Sequence, residues 1–153
     1  MKTISLRITG KCLVPAEDWH WTIAGNRFVI AAGQQSFEHS LEVPVSEGWN
    51  TVEIEHSAED HHRLHRYGHQ YSYVNITGVY LGGAFCRIDL LRLSGLTARS
   101  RDTDGKELYL NNLGEPFDVS FKFFSPIEHW QFALLERTGP SGLFADSRYD
   151  DEG

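Results

Sequence analysis

This chain has little that is built for covalent chemistry. It holds two cysteines and one methionine in 153 residues. No Cys-x-x-Cys, Gly-x-Ser-x-Gly, phosphate loop or His-Glu-x-x-His occurs, which removes the motif-borne routes to thiol redox, serine hydrolysis, nucleotide phosphate binding and zinc proteolysis. No run approaches the ~20 apolar residues that a membrane helix needs. Arg7 and Lys11 break any apolar stretch a signal peptide would use. The expectation is a protein made in a cytoplasm, with no membrane partner. Basic charge is also short. Fourteen Lys and Arg face 21 Asp and Glu, for a net charge of −7. The first 76 residues carry −3 and the remainder −4, so neither half offers the basic platform that phosphate neutralisation requires, and nucleic acid is excluded as an expected partner. Cys12 and Cys86 both sit among apolar residues and read as buried free thiols, with pairing as the alternative.

What the chain does have is alternation. Ile4, Leu6 and Ile8 alternate with Ser5, Arg7 and Thr9. Trp19, Trp21 and Ile23 share one face, Ala24-Gly25-Asn26 turns, and Phe28 and Ile30 share a face on the return, which predicts a hairpin. Phe37, Leu41, Val43 and Val45 follow, and Pro44 in that run places the strand at a sheet edge, because proline lacks a ladder donor. Gly48 to Glu55 alternates around Val52 and Ile54, Tyr71 to Ile76 and Val79 to Leu81 are strand-like, and Phe117, Val119, Phe121 and Phe123 give the strongest alternation. Phe85 to Leu93 reads as a strand with a bulge near Leu90-Leu91, Leu108 to Leu110 as a short strand, and Glu128 to Arg137 as a final strand, with a helix turn through Trp130, Ala133, Leu134 and Arg137 as the alternative. Short strands with turn signals every eight to twelve residues predict an all-β, antiparallel two-sheet sandwich, jelly-roll-like, with a closed barrel as the competitor. Residues 1–140 form one domain in this reading, and 141–153 an acidic C-terminal tail.

One stretch departs from the pattern. His56 to His69 holds five of the eight histidines and reads as a polar excursion from the sheet. On a short helix His61 and His65 would share a face and chelate Zn²⁺ through neutral imidazoles, although Arg63 and Arg66 beside them oppose a cation. The plainer readings are a solvated or interfacial loop, or one that gains charge as its imidazoles titrate. Asp102-Thr103-Asp104-Gly105 starts like a Ca²⁺ loop, but position twelve is Leu113 rather than a bidentate Glu, so a hairpin turn at Asp104-Gly105 is the reading. No cofactor is expected beyond those Zn²⁺ and Ca²⁺ alternatives. The four tryptophans, with Tyr67, Tyr71, Tyr73, Tyr80 and Tyr109, are candidates for a sugar-stacking platform, against a core role for each tryptophan. Tyr67, Tyr71 and Tyr73, with His61, His65 and His69, form the candidate ligand-binding set.

The tryptophan hairpin Trp19-His20-Trp21-Thr22-Ile23-Ala24-Gly25, the strand Gly48-Trp49-Asn50-Thr51-Val52-Glu53-Ile54, and the pair Val74-Asn75-Ile76 and Val79-Tyr80-Leu81-Gly82-Gly83 resemble carbohydrate-binding-module-like jelly rolls. With Lys106 to Gly114 and Trp130 to Leu135 the frame is also similar to small sandwich proteins of tailed bacteriophages. The resemblance implies a non-enzymatic binding or assembly module. It would be a virion structural or decoration protein, associated with capsid or tail and contacting other virion proteins or itself. The alternative is a carbohydrate-binding module that stacks a host or environmental glycan on Tyr and Trp. An enzyme ranks third, for want of a triad or a ligand set.

Overall fold

The computed structural model describes residues 2–15, 17–56, 72–101, 105–111, 113–114 and 116–130. Alternation becomes two antiparallel layers. Strands β1 (Thr3–Leu13), β4 (Ser36–Pro44), β6 (Tyr73–Leu81) and β7 (Ala84–Cys86) form one sheet in the order β4-β1-β6-β7. Strands β2 (Trp19–Ile23), β3 (Asn26–Ile30), β5 (Gly48–His56), β8 (Thr97–Ser100) and β9 (Phe117–Ser125) form the other, in the order β3-β2-β5-β9-β8. The chain crosses repeatedly between the layers, as a jelly-roll-like sandwich requires, and among the described residues the two sheets do not close into a barrel. Pro44 ends β4, which lies at the edge of the four-stranded sheet as expected.

The core is where the inward halves of these strands meet. Leu6, Ile8, Trp19, Trp21, Ile23, Val52, Ile54, Val74, Phe117, Val119, Phe121 and Phe123 are all buried. Each such side chain contributes about 1.5–3 kcal/mol over leaving it in water. The hairpin turn between β2 and β3 has positive φ at both Ala24 and Gly25, the backbone that matches the twist of paired strands. Cys12 and Cys86 are buried free thiols. Burial raises both pKa values, that of Cys86 to about 11, so neither is a ready nucleophile.

Three expected strands turn out otherwise. The bulged strand over Phe85 to Leu93 is instead β7 followed by a short helix, α1 (Ile88–Leu93). Leu90 and Leu91 are both buried, which two adjacent strand residues on opposite faces do not do beside a single core, but neighbours on a helix can. Residues Leu108 to Leu110 do not make a strand of their own. Ser100 N donates to Lys106 O at 2.8 Å and Leu108 N to Ala98 O at 2.8 Å, after which Ile76 N donates to Leu110 O at 2.9 Å. The segment thus leaves β8 and joins β6, and the pairing that flanks Gly105 fits the expected turn; Asp102 to Asp104 lie outside the described residues. Finally, the described start of the last expected strand is a helical turn at residues 127–130. His129 N and Trp130 N both reach Pro126 O, and the Trp130 indole donates to Ser94 Oγ at 3.0 Å, which pins this turn to the end of α1. The tail at 141–153 lies outside the described residues.

Candidate functional site

A cleft forms where β6 changes partners. On the side away from β1, Val79–Leu81 pairs with β7, while Val74 pairs with Leu113 and Ile76 with Leu110. Between the Ile76 pairing and the β7 pairing, at Thr77 and Gly78, no strand among the described residues covers β6 on this side. A cleft of about 370 Å³ opens there. Its floor is Asn75, Ile76 and Thr77; one wall is Phe85 of β7 with Ile88, Asp89 and Arg92 of α1; the other is Tyr109, Leu110 and Asn111.

The floor is set by a close approach. A Cβ at Gly10 would lie 2.0 Å from the Asn75 carbonyl oxygen and 2.6 Å from Phe37 Cζ. Only glycine lets β1 and β6 meet at this point, where the ladder shifts register after Thr9. The wall is set by α1, which is anchored from behind by Leu90 and Leu91 and leaves Asp89 and Arg92 toward the cleft.

Two aromatic rings stand in water at the rim. Tyr109 is 68% exposed and Phe85 43%. Phe85 leans on Tyr80 at 5.3 Å between ring centroids, and Tyr80 in turn lies under the Arg7 guanidinium at 3.9 Å. The polar groups differ in kind. Asp89 Oδ1 accepts from Arg87 Nε at 3.1 Å, whereas Asp89 Oδ2 is buried and has no hydrogen-bond donor among the described residues. A carboxylate oxygen in that condition lacks a partner worth roughly 1–3 kcal/mol. Exposed rings beside an unsatisfied acceptor are the groups a sugar uses, since its C–H faces lie on aromatics and its hydroxyls donate.

Of the sequence-derived candidates, Tyr67, Tyr71, His61, His65 and His69 lie outside the described residues, and the Zn²⁺ site at His61 and His65 with them. Tyr73 is described. It is half-buried at the start of β6, opposite Leu13 of β1, and is not part of the cleft. His56, the first residue of the histidine-rich stretch, belongs to the core rather than to an excursion. It is 1% exposed, stacks on Trp19 at 3.6 Å, and its Nδ1 lies 2.7 Å from His20 O. Trp19, Trp21 and Trp130 are core, as the packing reading has it, whereas Trp49 is 56% exposed. Among the described residues no group of three or more His, Cys, Asp and Glu is placed to hold a metal ion, and no helix is long and apolar enough to cross a membrane.

Tyr109 belongs to the broader aromatic set of the sequence reading; Phe85, Asp89 and Arg92 do not. Their only sequence signal is an aromatic or charge in a stretch with no clean period, since the cleft assembles residues from three separate segments. Comparison with protein-family models, with curated proteins and with solved structures finds no match for this chain.

Proposed function

We propose that this chain is a non-enzymatic binding module whose cleft beside β6 takes a sugar chain. The observation that supports it best is the pair of solvent-standing rings, Tyr109 and Phe85, on either side of a floor that carries Asn75 and Thr77. Asn75 and Asn111 add amides that can both donate and accept. Asp89 is the one carboxylate lining the cleft among the described residues, whereas glycoside hydrolysis works with a pair, which favours binding without turnover.

A glycan array followed by titration calorimetry tests this. Tyr109→Ala is expected to weaken the best array ligand at least about tenfold, with the melting temperature held, because an exposed ring supplies stacking rather than core packing. Phe85→Ala is expected to do the same. Affinity unchanged in both variants would end the reading.

A second proposal rests on Trp49. It stands on Phe124 at 5.4 Å on the outer face of the five-stranded sheet, an exposed aromatic pair of the kind that anchors protein contacts. It supports an assembly role, with the module held on a virion through this face. Stable association with other virion proteins, together with an empty glycan array, would favour assembly over sugar binding.

A further inference from the structure

We infer that the cleft selects an acidic sugar residue, whose carboxylate is seated on Arg92; this rests on the sugar-binding reading above. The inference comes from a charge count within the cleft. Its lining holds one acidic and one basic side chain, Asp89 and Arg92. They are three apart on α1 and so share a face, the spacing at which an acid and a base commonly pair. They do not pair here. Asp89 turns instead to Arg87, whose Nε lies 3.1 Å from Oδ1, and Arg87 is not a lining residue.

The acid of the cleft is therefore neutralised from outside it. Arg92 has no ion pair among the described residues, and its side chain is exposed at the cleft wall. The remaining uncompensated charge of the lining is positive, on a chain whose net charge is −7. A local reversal of sign inside a concave surface draws anions to that spot and away from the acidic surroundings. Guanidinium holds carboxylate through two parallel hydrogen bonds, so the anion is fixed in orientation as well as in place. With the carboxylate on Arg92, the sugar ring can lie against the exposed Tyr109 at the opposite wall.

The test compares acidic sugars with neutral partners of the same skeleton, using the full chain. Tetragalacturonate is titrated against its carboxyl-reduced form, and sialyllactose against lactose; the two pairs separate a uronate from a sialic acid as the source of the anion. The acidic member of one pair is expected to bind about five- to tenfold tighter than its neutral partner. The preference should shrink in 0.5 M salt, as that of a charge at a cleft wall does. Arg92→Gln should abolish the preference with the melting temperature unchanged. Equal binding within both pairs, or a preference that survives Arg92→Gln, overturns the inference while sugar binding stands. An array that binds neutral glycans only does the same. An array that binds nothing removes the sugar-binding reading itself.

Discussion

The two outer faces of this sandwich treat polar side chains in opposite ways. On the five-stranded sheet, Arg101 lies across the strands with Nε 3.0 Å from both oxygens of Asp118 and Nη2 3.5 Å from Glu55. Arg27 reaches the His20 ring at 3.3 Å beside it. The hollow lined by His20, Arg27, Glu55 and Arg101, about 250 Å³, is closed in chemical terms, since Arg101 is held by Asp118 and Glu55 and Arg27 bonds the His20 ring. Beside β6 of the other sheet, the hollow holds a buried acceptor with no donor and a guanidinium with neither acid nor hydrogen-bond partner among the described residues. Both are open hollows lined by polar side chains. What distinguishes them is whether the polar groups are satisfied, and an unsatisfied set in a concave site is what a ligand completes.

The comparison breaks most severely if the floor of the cleft is moved. Gly10→Ala would drive a methyl group into the Asn75 carbonyl, which is backbone and cannot swing aside. We expect a loss of about 3 kcal/mol in urea unfolding, and lost ligand binding even under conditions where the variant is folded. The ion-paired face, on the other sheet, should be untouched. Folding within 0.5 kcal/mol of the natural chain, roughly the effect of a neutral surface change, would show that β1 and β6 do not approach as closely as described.

How far such a face could be foreseen follows from the kind of signal each element leaves. Strands β1, β5 and β9 are legible because one of their sides is core and the other water, so residues such as Val52 and Ile54, or Phe121 and Phe123, mark every second position. The β2–β3 hairpin and the Pro44 edge are legible from turn chemistry and a missing donor. Helix α1 is not. Its six residues are under two turns, too short to display a 3.6-residue period, and its adjacent leucines mimic a strand that changes phase. The cleft was less legible still. Tyr109 comes to line the same cleft as Phe85 only because the segment after Gly105 leaves β8 for β6, a tertiary pairing with no local mark. The histidine-rich stretch had the loudest composition, yet its one described histidine, His56, packs in the core against Trp19.

Acid should weaken the frame beneath both faces, and one residue reports it. His39 of β4 is buried against Phe28 and Phe37, with no charged group among these contacts, and its Nε2 accepts from the Trp21 indole at 3.1 Å. That bond needs a neutral ring. Burial lowers the His39 pKa from 6.5, so the unfolded chain takes up a proton more readily than the native one. The stability His39 contributes is complete above pH 6.5 and is lost as pH falls below that value through the lower native pKa. His39→Gln retains an acceptor for Trp21 and cannot titrate. Urea midpoints measured from pH 7.5 to 5 should fall less steeply in this variant than in the natural chain. Equal slopes would mean that His39 is not the group responsible. Binding that declines with acid in both proteins would then belong to the cleft and not to the frame.

The smallest effect sharpens the contrast most directly. Arg101 is 40% exposed and Asp118 50%, so water and salt screen their attraction even though the geometry is bidentate. Arg101→Ala is expected to cost about 0.5–1 kcal/mol in low salt and close to nothing in 0.5 M salt. It should leave sugar affinity unchanged. Arg92→Gln should show the reverse, with stability held and the preference for acid lost. The two substitutions each remove one guanidinium from an outer face of the same sandwich, so the double dissociation isolates what each charge is for. An Arg101 variant that lost sugar binding would place the site on the five-stranded sheet, and the distinction between satisfied and unsatisfied hollows would no longer locate function in this fold.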